Sequence, residues 1–258
     1  MLKEERYQKI LELIASDGKI TVGEIVRLFD VSDMTARRDI KILEQSGLLR
    51  RVHGGAVSNL GRSYEPPYSI RSSHATQAKK AIGKAAADMI LNGDSIVLDV
   101  GTTTLQIVRA IIDRRNLTII TASLPIANEI ISKFSLANDI RLILAGGIVR
   151  ARELSMTGHI AQETFSQFQV DKAFIGVGGI DIKSGLTEYN LEDALVKKPL
   201  LKTARQKIVV AEGEKLGRSV FATIGSITDI DMIITDITAA EDKIRSFRDI
   251  GIEVIIAQ

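Results

Sequence analysis

The chain has 258 residues, 45% of them hydrophobic, and its 34 lysines and arginines against 32 acidic residues leave a net charge of +2 at pH 7. That length accommodates one small and one medium domain with real cores. The absence of cysteine excludes disulfides, thiolate metal ligands and cysteine nucleophiles. With so small a net charge, nucleic-acid binding has to rest on local clustering of basic residues. The start of the chain is charged and amphipathic, unlike a signal peptide, and no apolar run is long enough to span a bilayer. The expectation is a cytoplasmic protein without membrane association.

Tyr7, Ile10, Leu11 and Ile14 recur at i, i+3, i+4, i+7, one face of an amphipathic helix that Asp17-Gly18 ends. Thr21 followed by Glu24 forms a capping-box pattern for a second helix, whose apolar face is Val22, Ile25, Val26 and Phe29. Ser32 suits the cap of a third helix and Asp33 its positive end. On that helix Ala36, Ile40 and Leu43 face inward, while Met34, Arg37, Arg38 and Lys41 form the other face. Gly47 closes it, and Leu48 to Val57 reads as a hairpin wing carrying Arg50, Arg51 and His53, with Gly54-Gly55 at or near its turn.

An α-helix fits the major groove of B-DNA, and arginine pairs bidentately with guanine or phosphate. The expected DNA-facing set is Thr21, Ser32, Met34, Thr35, Arg37, Arg38, Lys41, Arg50, Arg51, His53, Gly54 and Gly55. A small tri-helical protein-contact domain with solvated arginines is the alternative. The agreement of caps, spacing, Arg-Arg pair and basic Gly-Gly wing favours DNA.

Polar residues and Pro66-Pro67 mark 58–74 as a linker between a winged helix-turn-helix over 1–57 and an α/β domain over 75–258. Helical patterning runs from Ala75 to about Leu91. Apolar runs then follow at Ser95–Val100, Leu117–Thr121, Ile140–Leu144, Lys172–Ile175, Lys207–Val210, Met232–Ile234 and Glu253–Ile256, several of them separated by helical segments. This predicts a mostly parallel sheet covered on both faces.

Small-residue loops follow several of these strands, where α/β folds bind ligands. Asp99-Val-Gly101-Thr102-Thr103-Thr104 offers N–H groups and three hydroxyls to an anion at a helix start, or else is a tight turn with a threonine cap; the residues alone leave the two readings level. Further loops carry Ser123, Gly146-Gly147, Gly176-Val-Gly178-Gly179 and Ala211 to Lys215, the last a candidate phosphate cation. Dinucleotide, Walker A and nucleophile-elbow motifs are missing, and His53, His74 and His159 lie too far apart in sequence to suggest a metal site. Glu192-Asp193 reads as solvated surface. No cofactor is expected.

The stretches at Arg6–Ile14, V-S-D-M-T-A-R-R-D-I at Val31–Ile40 and R-V-H-G-G-A at Arg51–Ala56 resemble the N-terminal signature of the DeoR family, bacterial regulators of sugar metabolism. Ala36 departs from it, standing where a larger aliphatic residue is common. D-V-G-T-T-T, L-A-G-G-I-V-R, F-I-G-V-G-G-I-D and V-V-A-E-G-E-K-L-G resemble the family's sensing domain, which is similar in fold to ribose-5-phosphate isomerase. The resemblance implies a phosphorylated sugar effector. By matching motif, Gly101 to Thr104 and Lys215 would hold its phosphate, and Asp99, Gly178 and Glu188 would lie nearer the polyol. Glu212 departs from a common aspartate.

The expected function is an operator-binding regulator, a repressor of carbohydrate uptake or catabolism genes, acting as a dimer or tetramer. The rival is a sugar-phosphate isomerase with a fused DNA-binding domain. Isomerases of that fold carry a D-G-A-D stretch, and Gly176–Gly179 lacks its carboxylates, so no catalytic residue is assigned. A DNA-binding scaffold without a ligand is the third reading.

Overall fold

A computed structural model describes residues 3–46, 48–58, 61–134 and 138–258. The expected helix stop at Gly47 lies outside them, as do Asn59 and Leu60 of the expected linker. The chain divides into two units at Pro66/Pro67.

The first unit runs α1 (Lys3–Asp17), β1 (Lys19–Thr21), α2 (Val22–Phe29), α3 (Asp33–Gln45), β2 (Leu49–Val52) and β3 (Gly55–Ser58). Thr21 and Glu24 form the reciprocal capping box, and the Ser32 side chain accepts from the Thr35 N–H. Ile10, Ile14, Ile25, Ala36, Ile40, Leu43 and Leu49 make the core, each at most 2% exposed. Each fully buried isoleucine or leucine contributes roughly 1.5–3 kcal/mol over an exposed one, which lets so small a unit hold together.

The wing has a strand that the sequence pattern did not announce. β1 joins the hairpin in the order β1-β3-β2, with Ile20 opposite Ala56. Gly54 takes φ +80° in the turn, and a Cβ on Gly55 would stand 2.2 Å from the Ile20 carbonyl oxygen. Gly55 is therefore required by the approach of β1 to β3. One ionic contact also pins the helices: Arg6 Nε lies 2.6 Å from Asp39 Oδ2, and Asp39 is 2% exposed.

The second unit begins with α4 (Tyr68–Ser73) and α5 (Thr76–Asp88). The expected linker over 58–74 thus gives way to helix after Pro67, because Pro66-Pro67 ends one segment and α4 starts directly beyond it. Then come β4 (Ser95–Leu98), α6 (Thr104–Ala110), β5 (Thr118–Thr121), α7 (Leu124–Lys133), β6 (Arg141–Leu144), β7 (Ile148–Arg150), β8 (Ser155–Thr157), α8 (His159–Ser166) and β9 (Val170–Ile175). β10 (Gly179–Asp181), β11 (Gly185–Glu188), α9 (Leu191–Lys197), α10 (Leu200–Thr203), β12 (Ala204–Val210), β13 (Ala222–Gly225), β14 (Met232–Asp236), α11 (Glu241–Asp249) and β15 (Glu253–Ala257) complete it.

All seven apolar runs became the strands of one parallel sheet, ordered β15-β14-β12-β9-β4-β5-β6. Alternate residues point to opposite faces. Ile96, Leu98, Ile208 and Ile234 pack with α5 and α6, whereas Val97, Ala173 and Ile175 pack on the other face with Phe165 of α8 and Leu200 of α10. Two small antiparallel sheets, β7-β8 and β10-β11-β13, sit outside the main one. From β4 the order runs outward through β5 and β6, then returns to the other side of β4 at β9 and continues to β15. β4 and β9 therefore flank a topological switch point, and in open α/β sheets ligands bind at the carboxyl ends of the strands there.

Candidate functional site

On α3, Met34, Arg37, Arg38 and Lys41 are exposed while Ala36, Asp39, Ile40 and Leu43 are buried. Arg37 is tied to Asp33 one turn back, Nε to Oδ1 2.5 Å, and Asp33 holds its guanidinium more firmly charged. Arg38 and Lys41 have no side-chain partner among the described residues. Thr21 and Ser32 serve their helix caps, and half-buried Thr35 exchanges a hydroxyl contact with Ser32. The Arg51 N–H donates to Glu44 Oε1, fastening the wing to α3, while the Arg50, Arg51 and His53 side chains stand exposed. Arg37, Glu44, Arg51, His53 and Gly54 border a cleft of about 470 Å³ between helix and wing.

At the switch point Asp99 follows β4 and is 2% exposed. Its Oδ2 accepts from the Gly176 N–H at 3.0 Å and lies 3.0 Å from Lys197 Nζ. Lys197 also donates to Glu188 Oε2 at 2.6 Å and to the Gly176 carbonyl at 2.9 Å. Burial pushes Asp99 up to about 6 against the pull of Lys197. Burial would raise Glu188 too, but Lys197 and the Tyr189 N–H hold it below the usual carboxylate range. Burial opposes the charge on Lys197, yet Asp99 and Glu188 keep it protonated. A Cβ on Gly178 would stand 3.0 Å from Glu188 Oε1, so the glycine lets the loop close over this triad.

A second buried cluster lies by the loop after β12. Glu212, 3% exposed, has Lys215 Nζ 2.9 Å from Oε2, Lys79 Nζ 3.4 Å from Oε1, and the Thr103 hydroxyl donating to Oε1 at 2.9 Å. Two ammoniums thus face one carboxylate. Burial works against the Glu212 charge, but Lys215 and Lys79 hold its pKa far below normal. Lys215 is held charged by Glu212 against burial, whereas burial lowers Lys79. Lys215 was expected to be a free phosphate cation; it is engaged with Glu212, with 18% of its side chain exposed.

The expectation of three available hydroxyls at Thr102–Thr104 is also corrected. The Thr103 hydroxyl goes to Glu212, and that of Thr104 donates to the Gly101 carbonyl, closing the turn. The Thr102 hydroxyl and the N–H groups of Thr102 and Thr103 have no partner among the described residues. A cleft of about 520 Å³ opens beside Thr102, bounded by Tyr68 and Ser72 of α4 with Gln106 and Asn128. Ser123 caps α7, accepting from the Ile126 N–H, and is buried. Gly147, at φ +145°, is needed because a Cβ would meet the Thr157 carbonyl oxygen at 2.3 Å; Gly146 lies beside it. Ser123 and Gly147 therefore have structural duties in the loops after β5 and β6.

Sequence reasoning missed Lys197, Lys79 and Arg150. Arg150 pairs with buried Asp193, which corrects the reading of Glu192-Asp193 as solvated surface; only Glu192 is exposed. Gly176–Gly179 itself carries no carboxylate, but Asp99 and Glu188 converge on that loop. Both are committed to Lys197, and Glu188, held below its usual range, is a poor base.

A winged helix-turn-helix with free cations, together with a parallel sheet ringed by charged loops at its switch point, defines a DNA-binding regulator with a sensing unit. Residues 6–61 match the family described as DeoR-like helix-turn-helix domain, and residues 74–237 match the DeoR C terminal sensor domain. The chain belongs to the DeoR family of transcriptional regulators, which are not enzymes. It is 33% identical to the glycerol-3-phosphate regulon repressor of Escherichia coli (strain K12) over 92% of each chain. It is 31% identical to the HTH-type transcriptional regulator GolR of Listeria innocua serovar 6a over 100% of each. Among solved structures it is similar to ribose 5-phosphate isomerase A of Methanocaldococcus jannaschii, with a TM-score of 0.39 at 16% identity over 54% of each chain. The sorbitol operon regulator SorC of Klebsiella pneumoniae has a TM-score of 0.41 at 13% identity over 96% of this chain and 99% of that one. No described helix is long and apolar enough to cross a membrane.

Proposed function

We propose that this regulator is a repressor of carbohydrate uptake or catabolism genes, released or tuned by a phosphorylated sugar. The observation that carries the reading is the contrast inside α3: Arg38 and Lys41 are exposed and unpartnered on a helix whose inner face is fully packed. Exposed cations are ordinary on a soluble helix, but these two stand on the second helix of a helix-turn-helix, the one that enters the major groove, where they meet base edges and phosphates. The wing arginines suit phosphate contacts. One small reading head gives limited specificity, so the protein acts as a homo-oligomer on a repeated operator.

The sensing site is the switch point. The Thr102 hydroxyl and the N–H groups of Thr102 and Thr103 receive the phosphate, with Lys215 turning from Glu212 to add charge. The Asp99–Lys197–Glu188 triad borders the polyol portion. The relatives' names support the class: one represses a glycerol-3-phosphate regulon. Thr103→Glu places a negative charge in the phosphate loop. It should leave DNA binding intact and abolish the calorimetric response to sugar phosphates, while wild type binds a sugar phosphate far more tightly than the parent sugar. Equal affinity for the two would reduce the loop to a turn.

A further inference from the structure

The least expected residue of the second unit is Lys79. It lies on the apolar stripe of α5 beside Ile82, Gly83 and Ala86, 4% exposed. Its ammonium donates to the carbonyls of Arg71, in the last turn of α4, and His74, just beyond it, and stands 3.4 Å from Glu212 Oε1. Glu212 in turn holds the Thr103 hydroxyl and Lys215. Through Glu212, Lys79 therefore links the loop after β4 to the first helix beyond Pro67. A buried lysine is costly, and a helix end of this kind can be finished with a backbone cap or water, so packing alone does not call for it.

We infer that Lys79 is a positioning residue that transmits occupancy of the Thr102–Thr103–Lys215 site to α4; the inference rests on the phosphate-sensing reading above. A phosphate arriving beside Thr103 competes with Glu212 for the same cations. Lys215, the more exposed of the two lysines, turns to the ligand. Glu212, buried and deprived of that partner, then draws on Lys79, because an unpaired charge in a low-dielectric site is strongly unfavourable. Lys79 gives up its carbonyls to do so, and the end of α4 loosens. α4 begins directly beyond the division between the units, so loosening this short helix from its far end is how a signal from the sensing site would leave.

The test is hydrogen exchange, read by mass spectrometry on full-length protein, with inorganic phosphate as probe and calorimetry to establish saturation. In the unsubstituted chain, saturating phosphate should speed exchange in residues 68–76 several-fold. In Lys79→Met that segment should already exchange fast and should not respond to saturating phosphate. Lys79→Gln keeps a donor for one carbonyl, guarding against misfolding of the methionine variant, and should likewise be unresponsive. The same phosphate response in both variants would overturn the role of Lys79, as would phosphate heat with α4 unchanged in the parent chain. If Lys79→Met no longer binds phosphate at all, the residue belongs to the site and not to its transmission. Absence of heat with phosphate in the parent chain would instead sink the sensing reading itself, and this inference with it.

Discussion

In the unit that ends at Pro66, Arg38, Lys41, Arg50 and Arg51 stand exposed, with no ion-pair partner among the described residues. In the unit that begins at Pro67, Lys79, Lys197 and Lys215 are buried or nearly so, each within 3.4 Å of a carboxylate. A surface that must meet a polyanion keeps its cations uncommitted, since a cation already paired has to break that pair first. A site that must notice a small anion gains from paired charge, because a balanced, desolvated cluster rearranges when one more charge arrives.

The first unit also contains a buried ion pair, and breaking it has the largest expected effect. Arg6 is the counter-ion of buried Asp39. Arg6→Met leaves that carboxylate without its ion pair and should cost about 3–5 kcal/mol. Denaturant unfolding followed by amide exchange in α1 to α3 should register it, with the second unit's exchange unchanged. A loss within error of zero would mean the pair is ornamental.

In the second unit the comparison is sharpened by pH. Asp99 is pushed up to about 6 in the folded chain, whereas an unfolded aspartate titrates near 4. The folded state therefore holds the extra proton between those values. Its stabilisation is present below about 4 and is lost as pH rises through 6. Asp99→Asn removes this dependence, so wild-type stability should fall relative to the variant by roughly 3 kcal/mol between pH 4 and 7. Parallel stability curves would place the Asp99 pKa near its ordinary value.

On α3, Arg38→Ala should cost about 1–3 kcal/mol in operator affinity with the fold intact. Arg37→Ala should cost less, because Arg37 must leave Asp33 to reach DNA. The opposite ranking in gel-shift titrations would invert the assignment of the free arginine. Smaller still, Arg51→Ala should weaken specific and non-specific binding alike and flatten the salt slope by about one unit. Loss of discrimination at a single base pair would instead make the wing a reader of sequence.

The capping box at Thr21 and Glu24 and the seven apolar runs were legible because caps and periodicity are local signals. β1, β7, β8 and β10 were not, since each spans three residues and alternation needs more. The ion pairs escaped for a different reason: Arg6 and Asp39, or Lys79 and Glu212, are distant in sequence. A trace of each was nonetheless present. Asp39 falls on the stripe of Ala36, Ile40 and Leu43, Lys79 on that of Ile82 and Ala86, and Lys197 beside Ala194 and Val196. A charged residue on an apolar stripe signals a buried partner without saying which.

The central claim is that the second unit's charge governs the first unit's grip on DNA. The direct measurement is fluorescence anisotropy of labelled DNA from upstream of the protein's own gene, titrated with full-length protein alone, with each of a panel of sugar phosphates, and with each unphosphorylated parent sugar. At least one sugar phosphate should shift the affinity by the five- to 150-fold of about 1–3 kcal/mol of coupling, its parent sugar should not, and Thr103→Glu should erase the shift. Affinity unmoved by every sugar phosphate, or moved equally by the parent sugars, would contradict the account.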